Sequence, residues 1–207
     1  METRRIEDEG AREATVSALR AGEVVVVPTD TVYGLAAVPH DPEAVKRIFL
    51  AKGRPEQMHL PVLAASLAQM ELLGVDVSPA VVTLAERWWP GPLTMVLGFT
   101  EGAARPLWLA GREEVAGRVP HHRFLLEVME QTGVLLVTSA NQHGAGTPPS
   151  ADEIARSLGP HVSLIVDGGA LDTVPSTVVN MRGREVAVER EGAIPTKDIL
   201  DALTGAS

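Results

Sequence analysis

The sequence of 207 residues contains no cysteine, which excludes disulfides, thiolate nucleophiles and cysteine-ligated metal or iron–sulfur sites. Aromatic residues are also scarce, with three Trp, one Tyr and three Phe, so the core must consist mainly of Val, Leu, Ile and Ala. No apolar run approaches the roughly 20 residues that a membrane-spanning helix needs. The charged segment 1–9 has no apolar signal core. We therefore expect a cytoplasmic protein with no membrane association.

Acidic residues outnumber basic ones: 27 Asp and Glu stand against 18 Lys and Arg, giving a formal net charge of −9. A protein that binds nucleic acid strongly without regard to sequence needs a positive field to neutralise phosphates. The charge balance therefore argues against a general nucleic-acid-binding protein, although a local basic groove is compatible with it.

Apolar runs alternate with segments of helical spacing. Four consecutive valines at 24–27, followed by Pro28, predict a buried strand, because β-branched residues favour strands. Further strands are predicted over residues 60–64, 93–99, 105–109, 115–119, 134–137 and 163–166, and a hairpin over 177–181 and 185–189. Helices are predicted over residues 6–21, 41–52, 78–88, 120–132, 150–158 and 196–203. This order predicts a single α/β domain over residues 1–207, with a mixed, twisted, open sheet flanked by helices.

Polar residues occur beside several predicted strands, and α/β sheets bind ligands beyond the carboxyl ends of their strands. They lie in the segments 28–31 (PTDT), 138–141 (TSAN) and 175–176 (PS), and at Arg118 within its strand. No segment contains an obvious nucleophile–base pair, so the pattern favours a site that hydrogen-bonds a polar ligand. The alternative is ordinary turn chemistry, since Thr, Asp, Ser and Asn all favour loops.

Three cations stand out by position. Lys52 and Arg54 bracket one glycine where the second predicted helix closes, and we expect both on an exposed helix end, where they would clamp a polyphosphate. The alternative is that these cations simply complement the helix dipole. For Arg118 the alternative is an ion pair with Glu113, Glu114 or another acid. No P-loop, dinucleotide-binding glycine motif or zinc-ligand spacing occurs in the sequence.

Seven short segments complete the pattern. They are 28–35 (PTDTVYGL), 52–55 (KGRP), 89–94 (WPGPLT), 118–122 (RVPHH), 139–141 (SAN), 175–178 (PSTV) and 190–192 (REG). Each is weak alone, but together, and in this order, they resemble the YrdC-like family. The resemblance runs from about residue 10 to residue 195, and the chain is similar to the short, single-domain type.

The resemblance implies a nucleotidyltransferase that forms threonylcarbamoyl-AMP and pyrophosphate from L-threonine, bicarbonate and ATP. It implies a twisted open α/β sheet with a concave, locally basic groove. A downstream tRNA threonylcarbamoyl transferase machinery would use the product at position 37 of tRNA, so this chain's own contact with tRNA is expected to be weak or indirect. Mg²⁺ is expected with ATP, held mainly by phosphates and water, with no protein ligand identified.

The resemblance also implies the site residues. The catalytic residues, which bind the nucleotide as well, would be Lys52, Arg54, Ser139 and Asn141. Further nucleotide contacts would come from Ser150 and Arg190. Threonine would be held by Thr31, Arg118 and Ser176, with Arg118 on the substrate carboxylate.

Three positions depart from the family pattern. Met58 and His59 stand where members usually have Asn-Pro or Lys-Pro, and Glu114 stands where members have Ser or Thr. A carboxylate at position 114 would repel phosphate unless it points away.

Two other functions remain as alternatives. The first is a non-catalytic paralogue of the same fold that binds double-stranded RNA or tRNA, which the net charge disfavours. The second is a carbamoyl-transferring domain of larger maturation proteins. The short chain, without a zinc-ligand or acylphosphatase-like segment, disfavours this reading.

Overall fold

The computed structural model describes residues 1–55, 58–171, 174–183 and 186–205. Within them, the apolar runs form ten strands of one sheet. The strands are β1 (Glu2–Arg5), β2 (Val25–Val27), β3 (Gly34–Ala37), β4 (Val62–Leu63), β5 (Leu93–Leu97), β6 (Val115–Arg118), β7 (Leu135–Ser139), β8 (Leu164–Asp167), β9 (Thr177–Asn180) and β10 (Ala187–Arg190).

The sheet is mixed and open, in the order β1-β8-β2-β3-β7-β4-β6-β5-β9-β10. Parallel neighbours are β1/β8, β2/β8, β4/β6 and β5/β9, and the remaining neighbours are antiparallel. The predicted α/β class with a mixed open sheet is confirmed.

Seven α-helices connect these strands in the described part of the chain. They are α1 (Ala11–Arg20), α2 (Pro42–Lys52), α3 (Leu67–Glu71), α4 (Pro79–Trp88), α5 (Arg123–Thr132), α6 (Ala151–Leu158) and α7 (Thr196–Thr204). Their starts follow the capping rules: the Asp41 carboxylate accepts from the backbone N–H groups of Glu43 and Ala44, and Ser150 forms a capping box with Glu153. No helix among the described residues is both long and apolar enough to cross a bilayer.

The two faces of the sheet are covered differently. One face packs along its length against a large core that includes Ile48 of α2 and Leu84 of α4. On the other face, a smaller core forms where α1 and α5 lie over β2, β3, β7 and β8. The adjacent strands β4, β6, β5 and β9 direct Leu63, Arg118 and Val96 to that second face, where these side chains line a groove. The groove therefore forms where no helix of the described residues covers this half of the sheet face.

The structure corrects several predicted elements. The strand predicted over 105–109 is wrong: residues Leu107–Leu109 form a 3₁₀ helix after Pro106, which has no N–H for a strand ladder, and Leu107 is 92% exposed. The helix predicted from residue 6 begins at Ala11, because residues 6–10 form the turn that joins it to the edge strand β1. The charged sequence of β1 carries no strand pattern. β9 and β10 pair as the predicted hairpin requires, whereas Arg184 and Glu185 lie outside the described residues.

Candidate active site

A groove of about 850 Å³ runs across the uncovered half of the sheet face. It brings together seven of the nine residues predicted for the site. They are Thr31, Arg54, Arg118, Ser139, Asn141, Ser176 and Arg190. Lys52 lies against Ser139 and Asn141, while Ser150 is not among the groove's lining residues.

Arg118, the last residue of β6, is 6% exposed and bonded on three sides. Its Nε donates to the Gly91 carbonyl oxygen (3.0 Å) and its Nη1 to the Thr31 hydroxyl (2.8 Å). Its Nη2 lies 2.5 Å from Oδ1 of Asp30 in a buried ion pair. Burial lowers the pKa of Arg118, the Asp30 carboxylate raises it, and neighbouring Arg190 lowers it. A cation is thus fixed in the wall of the groove.

The hydrogen bonds of Arg118 leave room for a ligand. A guanidinium has five N–H donors, and the three bonds to Gly91, Thr31 and Asp30 take one from each nitrogen. One N–H therefore remains on each terminal nitrogen, as a bidentate bond to a carboxylate requires. The ion pair predicted as the alternative for Arg118 does exist, with Asp30 and not with Glu113 or Glu114. Two N–H donors of Arg118 remain outside these hydrogen bonds.

Ser176 and Arg190 form a second bonded unit beside Arg118. The Ser176 hydroxyl lies 2.8 Å from that of Thr94, on β5. Arg190 donates from Nη2 to the Ser176 carbonyl oxygen (2.8 Å) and hydroxyl (3.2 Å). Thr177 holds this segment by accepting from the Gly192 backbone N–H (3.0 Å), and a Cβ at Gly192 would lie 2.3 Å from a backbone oxygen. Gly192 is therefore needed for the close approach that positions Arg190.

The position of Lys52 differs from the one predicted from the sequence. It was expected on an exposed helix end, but it is only 4% exposed. Its Nζ donates to the carbonyl oxygens of Ser139 (2.5 Å) and Asn141 (2.8 Å) and to Oδ1 of Asn141 (2.8 Å). The Ser139 hydroxyl bonds to the same Oδ1 at 2.5 Å. Burial, and secondarily the charge of Arg54, lower the pKa of Lys52 to about 8.

All three N–H donors of Lys52 are therefore directed at the Ser139–Asn141 turn. The dipole-complementing alternative does not describe Lys52, because its ammonium bonds to this turn rather than to the carbonyl groups of its own helix. Lys52 connects the end of α2 to the end of β7 and fixes where the Ser139 hydroxyl and the Asn141 amide lie.

Arg54 is held much more loosely. Its Nη1 lies 3.5 Å from the Thr138 hydroxyl, its Nη2 lies 3.3 Å from the His59 carbonyl oxygen, and its buried Nε has no partner among the described residues. Burial lowers the pKa of Arg54. Its planar donor group is thus at the groove with weak protein contacts, which leaves it available to an anion.

The other positions singled out in the sequence differ in their surroundings. The Ser150 hydroxyl accepts from the Glu153 backbone N–H (3.4 Å) and donates to its carboxylate (3.1 Å), so it caps α6. Met58 and His59 line the groove and are exposed. Glu114 also lines it, but its carboxylate is paired with Arg182, so its charge is balanced.

Some residues bonded to predicted site residues were not predicted for the site, among them Asp30, bonded to Arg118, and Thr94, bonded to Ser176. Both stand inside motif segments, but nothing in spacing alone indicated their partners. Among the described residues, no group of three or more His, Asp or Glu side chains could hold a metal ion.

Comparisons with known proteins identify the family of the chain. The family model for Sua5, YciO and YrdC, described as "Telomere recombination", matches residues 17–192. The chain is 39% identical over 189 residues to threonylcarbamoyl-AMP synthase of Bacillus subtilis, covering 90% of this chain and 54% of that protein. It is similarly 38% identical to threonylcarbamoyl-AMP synthase of Pyrococcus abyssi, covering 87% of this chain and 54% of that protein. The chain thus spans about half the length of these curated relatives.

Solved structures give the same picture. P. abyssi Sua5 complexed with L-threonine superposes with a TM-score of 0.87 at 35% identity, covering 99% of this chain and 60% of that chain. E. coli YciO superposes with a TM-score of 0.82 at 26% identity, covering 96% of this chain and 98% of that chain. The fold, the order of motifs and the matched family model together show that the chain belongs to the Sua5/YciO/YrdC family.

Proposed function

We propose that this chain is a threonylcarbamoyl-AMP synthase, which joins L-threonine, bicarbonate and ATP and releases pyrophosphate. The observation that carries the proposal is the convergence of Thr31, Arg118, Ser139, Asn141 and Arg54 on one groove. Two relatives that bear this enzyme's name support it, as does the neighbouring Sua5 structure that contains L-threonine.

Threonine would bind where the protein offers fixed donors for a small ligand. Arg118 retains one N–H on each terminal nitrogen, which suits a carboxylate. Thr31 and Ser176 place hydroxyl groups beside it. These side chains are already held by the protein, so binding would order few groups and cost little conformational entropy.

The nucleotide would lie across the groove, with its phosphates reaching Arg54 at β7 and Arg190 beside Ser176. Arg54 lies beside Thr138 of β7. Four strand spacings of about 4.8 Å separate β7 from β9 in the sheet. The resulting width, roughly 19 Å, suits an extended nucleotide beside an amino acid. Ser150, bonded as a helix cap, would contribute to nucleotide binding only indirectly.

The chemistry needs positioning and charge neutralisation more than a protein nucleophile. The threonine amine and bicarbonate would give a carbamate with loss of water. A carbamate oxygen would then attack the α-phosphorus, and pyrophosphate would leave. Ser139 and Asn141 would stand at that junction, and Lys52 would orient them through its three hydrogen bonds.

Mg²⁺ would accompany ATP, bound mainly through phosphates and water, because the described residues provide no carboxylate cluster for it. The product would pass to a tRNA threonylcarbamoyl transferase machinery. Contact of this chain with tRNA itself would be weak or indirect, given its net charge of −9.

The test is to incubate the purified chain with ATP, Mg²⁺, L-threonine and bicarbonate and to measure pyrophosphate release. Release that depends on both L-threonine and bicarbonate is the expected result, with Arg118→Lys as the variant that raises the threonine requirement. Pyrophosphate release that is absent, or independent of threonine, would overturn the proposal.

A second measurement distinguishes the synthase from the alternative, a non-catalytic paralogue that binds double-stranded RNA or tRNA. We expect tRNA binding in a filter assay to be weak and to collapse as salt rises, because few phosphates would be neutralised. Tight, salt-resistant binding without pyrophosphate release would favour the RNA-binding function instead.

A further inference from the structure

We propose that Asp30 is a specificity residue that makes the part of the groove around Arg118 select a zwitterionic α-amino acid over a plain carboxylate. This inference rests on the proposed function, in which Arg118 binds the threonine carboxylate. It concerns a different question, namely why a guanidinium that keeps two unused N–H donors would not accept any small carboxylate.

The first observation is the way in which Asp30 is bonded. Its side chain is 12% exposed, and only one of its oxygens, Oδ1, has a partner, the Nη2 of Arg118 at 2.5 Å. The second oxygen, Oδ2, is buried without a hydrogen-bond partner among the described residues. Arg118 is therefore the main group that offsets the charge of this carboxylate, because Oδ2 receives no hydrogen bond from the described residues.

The second observation is that no other cation is bonded to Asp30 in the described part of the chain. His122 is nearby, but burial lowers its pKa, so its imidazole is neutral at neutral pH, and its buried Nδ1 also lacks a partner. Arg190 acts on Arg118 from the other side, where it is bonded to Ser176. Among the described residues, Arg118 is therefore the one cation bonded to Asp30, and Asp30 is the carboxylate bonded to Arg118.

These charges have opposite effects on the two kinds of ligand. A carboxylate bound to Arg118 lies within a few ångströms of Asp30 and is repelled by it. A ligand that also carries an ammonium group offsets that repulsion by its attraction to Asp30. Removing the charge of Asp30 would help a plain carboxylate and would cost the amino acid this attraction, so the ratio of their affinities must fall.

The test compares two ligands that differ only in the amine. Binding of L-threonine and of 3-hydroxybutyrate with the matching hydroxyl configuration is measured by calorimetry, with a non-hydrolysable ATP analogue present. For Asp30→Asn, which keeps the oxygen that faces Arg118, the preference for threonine should fall at least tenfold relative to the wild type. Asp30→Glu keeps the charge and should retain most of the preference.

Glu127→Gln is the matched control, because it removes an acidic charge that is paired with Arg12 and Arg123 far from the groove. It should leave the preference unchanged. If Asp30→Asn does not fold, Asp30→Ser provides a second neutral variant for the same ratio. A preference unchanged within twofold in a folded neutral variant would overturn the inference alone, whereas a wild type that binds no threonine would overturn the proposed function with it.

Discussion

The groove has two sides that are built in different ways. On one side, which we call the Arg118 side (Thr31, Arg118, Ser176 and Arg190), the side chains bond mainly to one another and to Asp30, which contacts Arg118 without lining the groove, at 2.5–3.2 Å. On the other, the Arg54 side (Arg54, Met58 and His59), the contacts of Arg54 are 3.3 and 3.5 Å long, and Met58 and His59 are exposed. The first arrangement suits a small ligand of fixed shape, and the second suits a flexible polyphosphate that supplies its own bonding partners.

Because the two sides are bonded differently, substitutions on them should have different effects on stability and on ligand binding. A substitution on the Arg118 side removes a group on which other buried groups depend, so it should affect stability and ligand binding together. A substitution on the Arg54 side removes a donor that the protein hardly uses, so it should affect ligand binding alone. The following predictions test that separation.

The largest effect is expected for Arg118→Ala. The substitution would leave the Asp30 carboxylate buried without its cation, and breaking a buried pair in this way costs about 3–5 kcal/mol of unfolding free energy. Urea denaturation would measure it, with Arg123→Ala as the control. Arg123 is 93% exposed in its ion pair with Glu127 and should cost less than about 1 kcal/mol. Equal losses for the two variants would show that the Arg118 pair does not stabilise the fold.

Arg118→Lys separates the ligand-binding role from the stabilising one. Lysine keeps the charge beside Asp30 but cannot present two parallel donors to a carboxylate. Threonine affinity should fall about ten- to a hundredfold, equivalent to roughly 1.5–3 kcal/mol, while the affinity for an ATP analogue is retained. Titrating threonine in the presence of the analogue would decide this. An unchanged threonine affinity would mean that the substrate carboxylate binds elsewhere.

Lys52 and Arg54 allow the most direct comparison of a buried cation with a more exposed one, because they are only two residues apart in the sequence. Lys52→Met would leave the acceptors of Ser139 and Asn141 without their donor and should lower the unfolding free energy by about 1–3 kcal/mol. Arg54→Met should change stability by less than about 0.5 kcal/mol but weaken ATP binding roughly tenfold or more. Thermal denaturation and nucleotide titration of both variants would check this. Equal changes in stability and in ATP affinity for the two variants would contradict the assignment of Lys52 as a positioning residue and Arg54 as a phosphate-binding residue.

The pKa of Lys52 predicts a dependence on pH. Its value of about 8 in the folded protein lies below its usual value of 10.5, so the unfolded chain binds more protons between these values. The cost of burying the charged ammonium is therefore present below pH 8 and declines as pH rises through that window. The stability of the wild type relative to Lys52→Met should increase between pH 8 and pH 10. A difference that is flat or that falls over this range would contradict the assigned pKa.

Most strands and helices could be predicted from the sequence, because apolar runs and cap signals are local, whereas the groove residues were named from the resemblance of the motif segments to a family. Val25–Val27 and the Asp41-capped helix are examples of elements whose signals lie within a few residues. β3 was missed because Gly34–Ala37 has little β propensity and is a strand only through pairing with β2 and β7. Strand formation there depends on neighbours that are distant in sequence.

The contacts within the site, like β3, also depend on residues that are distant in sequence. The motif positions of Lys52 and Ser139 were identified, but not that Lys52 bonds to the Ser139 turn, since that contact joins residues 87 positions apart. Asp30 was visible as part of a loop, yet its role depends on Arg118, 88 positions further along. Side-chain partners across such distances depend on strand order, which local patterns do not determine.

The smallest effect is expected at Glu114, where this chain has an acid in place of the family's Ser or Thr. Its carboxylate is paired with Arg182 in a half-exposed ion pair at the edge of the groove, so it already repels phosphate weakly. Such pairs contribute about 0.2–1 kcal/mol. Glu114→Ser should therefore strengthen ATP binding only about two- to fivefold, by removing the residual negative charge and freeing Arg182. Titration of an ATP analogue at low and high salt would measure the gain, which should shrink as salt rises. A loss of affinity would instead mean that the Glu114–Arg182 pair maintains the shape of the groove.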